Sequence, residues 1–136
     1  MEVSSYLIFD GQCEEAFKFY EKVLNGKIVG MMTWGESPMA KTAAADLRNK
    51  ILHARMVVGD QAFMGSDAPP DHYAKPQGFS VSLGVKDPTE ADRIFNELSQ
   101  NGNVTMPIQK TFWSVRFGML TDRFGIPWMI NCEQAA

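Results

Sequence analysis

Residues 13–26, CEEAFKFYEKVLNG, and residues 88–102, PTEADRIFNELSQNG, carry one pattern twice, and that repetition decides the fold. In the first stretch Ala16, Phe17, Tyr20, Val23 and Leu24 fall on one helical face, with Glu14, Glu15, Lys18, Glu21 and Lys22 around the rest. Cys13 to Leu24 therefore reads as an amphipathic helix, stopped by the left-handed signal Asn25-Gly26. The second stretch, Pro88 to Gln100, turns Ala91, Ile94, Phe95 and Leu98 inward. Its start is sharper: Asp87 can cap, Pro88 suits the first helical position and Glu90 completes a capping box. Asn101-Gly102 ends it as Asn25-Gly26 ended the first.

Outward from the helices the repetition continues. A short strand-like run precedes each, Ser5 to Phe9 and Phe79 to Val85, and a shift of 75 residues lays Ser5 on Ser80, Tyr6 on Val81, Ala16 on Ala91 and Tyr20 on Phe95. Further strand-like runs follow each helix. In the first half these are Lys27 to Thr33, His53 to Val58 and Ala62 to Ser66; in the second, Asn103 to Thr105, Val115 to Leu120 and Pro127 to Asn131, with Gly and Asp at the turns. The chain is thus expected to be α+β, an internal duplication of a β-α-β-β-β module in a single domain over 1–136: module one 1–67, a Pro-rich connector 68–77, and module two 78–136. A module of about 65 residues cannot bury enough surface alone, so the two halves, or halves of two chains, are expected to share a curved mixed sheet with helices on one face and a concave cleft on the other. Whether the modules pair within or between chains stays open.

Composition limits what such a fold can do. Of 136 residues, 45% are hydrophobic and 21% charged, the balance of a folded globular protein. The net charge of −3, without a block of like charges, excludes an electrostatic binder of nucleic acid or of an anionic membrane. No apolar run reaches the roughly 20 residues needed to span a bilayer, and Glu2 stands where a leader would carry basic residues, so a cytoplasmic protein is expected. Cys13 and Cys132, at opposite ends of the chain, make no disulfide framework or zinc knuckle. Nine Met, nine Phe, three Trp and three Tyr either fill the core or line an apolar ligand cavity.

Strand alternation begins to separate those two roles. From Phe79 to Val85 the odd positions Phe79, Val81, Leu83 and Val85 suit the helix side, leaving Ser80, Ser82 and Gly84 toward the hollow or toward plain solvent.

Three stretches, YLIFDGQCEEAFKFYEKVLNGKI (6–28), HARMVVGDQAFMGSD (53–67) and GFSVSLGVKDPTEADRIFNELSQNGNVTMPIQKTFWSVRFGMLTDRFGIPWMIN (78–131), resemble the PhnB-like group of the vicinal oxygen chelate superfamily. Glyoxalase I, bleomycin-resistance proteins and extradiol dioxygenases belong to the same superfamily. The resemblance covers nearly the whole chain and implies paired β-α-β-β-β modules that form a cleft, usually in a homodimer. Metal-dependent members carry His or Glu ligands on the first and last strands of each module. Carried over, those positions fall on Ser5 and Met64 in module one and on Ser80 and Met129 in module two, none a normal ligand for a hard or borderline divalent cation. A metal at the usual place is therefore not expected, and no cofactor is. Some relatives bear the label of a ubiquinone-pathway methyltransferase, yet there is no Gly-rich strand-to-helix turn for a dinucleotide or adenosyl group.

The remaining chemistry-capable residues are few. His53 shares a strand face with Arg55; if that face lines the cleft, the pair can bind an anionic substrate or move a proton, and if it faces water the two form a solvated edge. His72 lies in the connector. Trp113, Arg116, Trp128 and Asn131 surround the last hairpin, where an aromatic next to an arginine can hold a planar or anionic ligand or can pack at a dimer seam. Taking Met129 as cleft-facing puts Asn131 there too and sends Trp128 toward the helices. Cys13, at a helix start, could have a lowered thiol pKa but reads better as a plain cysteine.

Two functions follow as expectations. One is a homodimeric, metal-free protein that binds a small molecule through Ser5, Met64, Ser80, Ser82, Met129 and Asn131, with Trp113 and Arg116 nearby, gated by residues 34–50 as a mobile loop or short helix. The other is a lyase, isomerase or dioxygenase using a displaced metal or an acid-base residue such as His53.

Overall fold

The apolar stripe of the first helix has to be covered, and the way it is covered organises the first half of the chain. The computed structural model describes residues 1–133. It contains strand β1 (Tyr6–Phe9), helix α1 (Cys13–Leu24), and strands β2 (Lys27–Thr33), β3 (Ile51–Val58) and β4 (Gln61–Asp67). A short 3-10 turn (Pro70–His72) follows, then β5 (Val81–Gly84), α2 (Pro88–Leu98), β6 (Asn103–Gln109), β7 (Ser114–Thr121) and β8 (Pro127–Glu133). The chain divides into two compact units, Met1–Ala74 and Lys75–Ala136, and each repeats β-α-β-β-β. Each unit keeps its own four-stranded mixed sheet, in the orders β1-β4-β3-β2 and β5-β8-β7-β6, rather than a share of one. In each unit the first strand pairs in parallel with the last, leaving the first and second strands at the sheet edges.

In the first unit α1 buries Cys13, Ala16, Phe17, Tyr20 and Val23 against one side of the sheet. The Phe17 ring lies 5.5 Å from Phe63 and 6.1 Å from Phe9, and Tyr20 lies 6.2 Å from Phe63, so the core is an aromatic cluster. In the second unit α2 buries Ala91, Ile94, Phe95 and Leu98, and the sheet answers with Leu120, Trp128 and Ile130. Gly65 marks the helix side of the first sheet, because a Cβ there would come within 2.8 Å of Phe17; Gly118 marks that of the second, where it would come within 2.6 Å of Phe95.

The helix ends differ in one respect from expectation. Asp87 caps α2 by accepting from the Thr89 N–H at 3.1 Å, but Glu90 binds Arg93 instead of completing a capping box, so α2 starts on one cap rather than two. In both Asn-Gly stops the asparagine takes the left-handed conformation, Asn25 at φ 52° and Asn101 at φ 58°. The glycines are needed for close approach: a Cβ on Gly26 or Gly102 would lie 2.9 Å from the Val57 carbonyl or 2.5 Å from that of Thr121.

Register corrects the duplication by one residue. In the first sheet Tyr6 pairs with Met64, and Leu7 and Phe9, 1% and 0% exposed, face the helix. In the second sheet Val81 pairs with the fully buried Trp128, and Ser82 pairs with Met129. The shift of 75 that aligns the helices therefore lays an open-face residue, Tyr6, on a helix-facing one, Val81. The true counterpart of Tyr6–Met64 is Ser82–Met129. Since side chains alternate with period two, one residue gained or lost between strand and helix reverses every assignment along the strand.

Candidate functional site

Each sheet has one face covered by its helix and one face without a helix. On the first, the paired row Tyr6, Met64, Arg55 and Gly30 crosses all four strands of the helix-free face, and His53 and Met32 stand in the adjacent row. The Tyr6 hydroxyl lies 3.2 Å from His53 Nδ1, with the rings 5.8 Å apart and tilted by 32°. Arg55 is half-buried and reaches the Met64 sulfur at 4.0 Å. His53 and Arg55 thus do share the open face, with Met64 between Arg55 and Tyr6. Ser5 does not join them. Alternation puts it with Leu7 and Phe9 on the helix side, and its carbonyl accepts from the Met64 N–H at 3.0 Å. Tyr6 occupies the position expected of Ser5; sequence reading missed it because the duplication was aligned on the helices.

The helix-free face of the second sheet is built differently. Ser82 and Gly84 on β5 stand beside Met129 and Asn131 on β8, which pair with Met119 and Phe117 on β7. Ser80, just before β5, has the same parity as Ser82. Phe79, expected on the helix side, precedes the strand and is half exposed, because the chain there has no sheet partner to hold it inward. Trp113 meets Phe117 edge-on at 5.4 Å and Phe112 at 4.7 Å. The Asn131 side-chain oxygen is buried without a hydrogen-bond partner, beside a pocket of about 470 Å³ lined by Gly84, Val85, Lys86, Asn131 and Glu133. Met129 and Asn131 are on the open face and Trp128 is on the helix side, as alternation anticipated.

Arg116 is not on that face. Arg116 has the parity of the helix-side residues Gly118 and Leu120, pairs with the buried Cys132 and reaches Asp92 of α2 at 3.1 Å. It is a strand-to-helix ion pair rather than a ligand contact. Residues 34–50 form neither a free loop nor a helix. The Trp34 and Gly35 N–H groups bond the Lys50 and Arg48 carbonyls at 2.9 Å each, extending the β2–β3 ladder, and the Trp34 indole N–H reaches the Asp67 carbonyl at 3.3 Å. Leu47 is buried. The indole bond gives the polar edge of the half-buried Trp34 ring an acceptor.

Two buried carboxylates hold the ends of strands. Asp67 accepts from the Cys13 and Ile51 N–H groups, both at 2.9 Å, and Asp122 accepts from the Phe124 and Ile126 N–H groups and from the Trp128 indole at 2.8 Å. Their only signal was an Asp at the end of an apolar strand. Asp67 also settles Cys13: burial pushes the thiol pKa far up, and the Asp67 and Glu14 charges push the same way, so it is no nucleophile. His72 is exposed, 3.9 Å from Asp71.

The donor set for a metal does not fit. On the register, the first- and last-strand positions that face the open side are Tyr6 and Met64, and Ser82 and Met129. Phenol, hydroxyl and thioether groups are poor ligands for hard or borderline divalent cations. Among the described residues no group of three or more His, Cys, Asp or Glu side chains is arranged to hold one. A nucleotide cofactor fits no better. The Asp10–Gln12 link has one glycine, the Val85–Asp87 link has none, and the two helix N-termini are already taken by Asp67 and Asp87. Among the described residues no helix is long and apolar enough to cross a membrane.

The same architecture and sequence recur in known proteins. The crystal structure of protein PA1353 from Pseudomonas aeruginosa is 47% identical, covers 99% of each chain and superposes with a TM-score of 0.91. A Bacillus cereus protein described as a putative 3-demethylubiquinone-9 3-methyltransferase, PhnB protein, is 25% identical over 97% of this chain and 99% of its own, with a TM-score of 0.82. Protein YjdN of Escherichia coli (strain K12) is 34% identical over 139 residues, 96% of this chain and 95% of its own. The family model described as 3-demethylubiquinone-9 3-methyltransferase matches residues 1–131, and the chain therefore belongs to that family, the PhnB-like proteins.

Proposed function

We propose that the protein binds a small organic molecule on the helix-free faces of its sheets, without a metal, and works as a homodimer in the cytoplasm. The observation that carries this reading is the face made by Tyr6, His53, Arg55 and Met64: polar donors and a thioether on an uncovered sheet, where a purely structural face would carry scattered solvated charges. Ser80, Ser82, Met129, Asn131 and Trp113 supply the corresponding surface in the second unit, small and apolar around one unpartnered amide oxygen. Half-exposed Val29 on the outer strand β2, and Val104 on β6, support association of two copies. Two buried free thiols fit a reducing compartment.

The family's name implies methyl transfer, but among the described residues no set fits the cofactor, and no such step is derived. An acid-base enzyme is the second reading, favoured by the Tyr6–His53 bond, which orients an imidazole as a proton carrier requires. Native mass spectrometry of the purified full chain, repeated after denaturation, separates these models. A metal-free dimer with an extra organic mass is the expected result, whereas about one metal per subunit makes a metalloenzyme the better account.

A further inference from the structure

The binding reading leaves the chemistry of the ligand open, and the first sheet narrows it. Resting on that reading, we propose that the helix-free face of the first unit is a site for the oxyanion group of a small molecule, a carboxylate or a phosphoryl group. Arg55 supplies the charged fork, and the Tyr6–His53 pair supplies a further donor.

The first observation is the state of Arg55. Two half-buried arginines of the second unit are neutralised: Arg93 by Glu90 and Glu97, Arg116 by Asp92. Arg55 is half-buried, and among the described residues it has no carboxylate partner. Its contact is the Met64 sulfur, a weak acceptor that leaves the charge uncompensated. A guanidinium in that situation retains planar N–H donors whose geometry matches two oxygens of one anion.

The second observation is independent of Arg55. Tyr6 and His53 share one proton position at 3.2 Å. If the phenol donates to Nδ1, the other ring nitrogen carries its hydrogen outward. If Nδ1 carries the hydrogen and donates, the phenol hydrogen is released outward instead. Either arrangement leaves the pair with a donor to offer, so it complements an acceptor-only ligand group.

The third observation is room. Gly30 stands next to Arg55 in register, and a Cβ built there meets nothing within 4 Å. A ligand therefore finds space beside the guanidinium, with the Met64 and Met32 side chains on the same face to receive an apolar body.

Histidine-selective NMR of the full chain tests this, because His53 and His72 are the only two histidines and His72 serves as an exposed internal reference. The probes are inorganic phosphate and benzoate, titrated separately at constant ionic strength. Saturable shifts at His53 without matching shifts at His72 are expected, and the probe with the lower Kd names the oxyanion. Arg55→Met should weaken that probe by at least about tenfold, and Tyr6→Phe by a few-fold, while the exposed Lys22→Met, which also removes one positive charge, leaves it unchanged. Melting curves confirm that each variant is folded. Parallel, non-saturating shifts at both histidines, no response to either probe, or undiminished affinity in Arg55→Met overturns the oxyanion site. A co-purified organic mass together with any of those results would retain the binding reading and discard this one.

Discussion

The helix-free faces of the two sheets share a topology and differ in almost every side chain. The first gathers Tyr6, His53, Arg55 and Met64, and the second gathers Ser82, Gly84, Met129 and Asn131 beside an aromatic pair. The covered faces, by contrast, repeat one another: an apolar helix stripe on aromatic and branched residues, with a glycine beneath a phenylalanine ring in each. Packing constrains a buried surface to apolar residues of matched volume, so the covered faces stay alike. A face that no helix of its own unit covers is free to diverge toward chemistry.

The largest effects should come from the carboxylates that hold each unit together. Asp122→Ala leaves two backbone N–H groups and the Trp128 indole without an acceptor, and a loss of about 3 to 5 kcal/mol is expected in urea unfolding. Asp67→Ala strands two N–H groups and should cost less, about 2 to 4 kcal/mol. Equal losses would show that the indole bond adds nothing and that the two units depend on their carboxylates alike.

Next in size are the glycines that separate a covered face from an open one. Gly65→Ala drives a methyl into Phe17 and the Leu7 carbonyl and should cost about 1 to 3 kcal/mol. Gly30→Ala, on the open face of the same sheet, has space for its methyl and should change stability by less than about 0.5 kcal/mol. A large loss from Gly30→Ala would mean that the open face is packed, and the contrast between faces would disappear.

Smaller still is the stability effect of the open-face aromatics. Trp113→Ala should leave the melting curve within about 1 kcal/mol of wild type, since Trp113 is half exposed, yet alter retention of any co-purified ligand. A ligand retained equally well removes the second unit's face from the site. The slightest effect concerns the thiols: Cys13 and Cys132 are buried, and the raised Cys13 pKa keeps it protonated at neutral pH. Native protein should react with a thiol-selective disulfide reagent far more slowly than unfolded protein. Fast labelling of Cys13 in the native state would contradict its burial.

Both helices and seven of the eight strands were legible to within a few residues, because hydrophobic periodicity and the Asn-Gly and Asp-Pro signals are local. The run expected to end at Thr105 continues as β6 to Gln109, because on an outer strand Pro107 is tolerated. The candidate site was legible in part. His53 and Arg55 are legible as a pair, and Met64, Met129 and Asn131 as face residues, but Ser5 is out of phase and Arg116 shares the helix-side parity of Gly118 and Leu120. The Tyr6–His53 contact joins residues 47 positions apart and had no local signal.

From its residues alone, then, this chain determined its duplicated α+β module, its helix limits and the apolar stripe each helix presents, because these depend on neighbours three or four positions away. Which face each strand residue takes, where Asp67 and Asp122 send their oxygens, and that Tyr6, His53, Arg55 and Met64 meet were decided by tertiary structure. Those outcomes depend on strand register, and a register is set by the pairing of distant segments, where a single bulge or a single residue in a loop reverses the face.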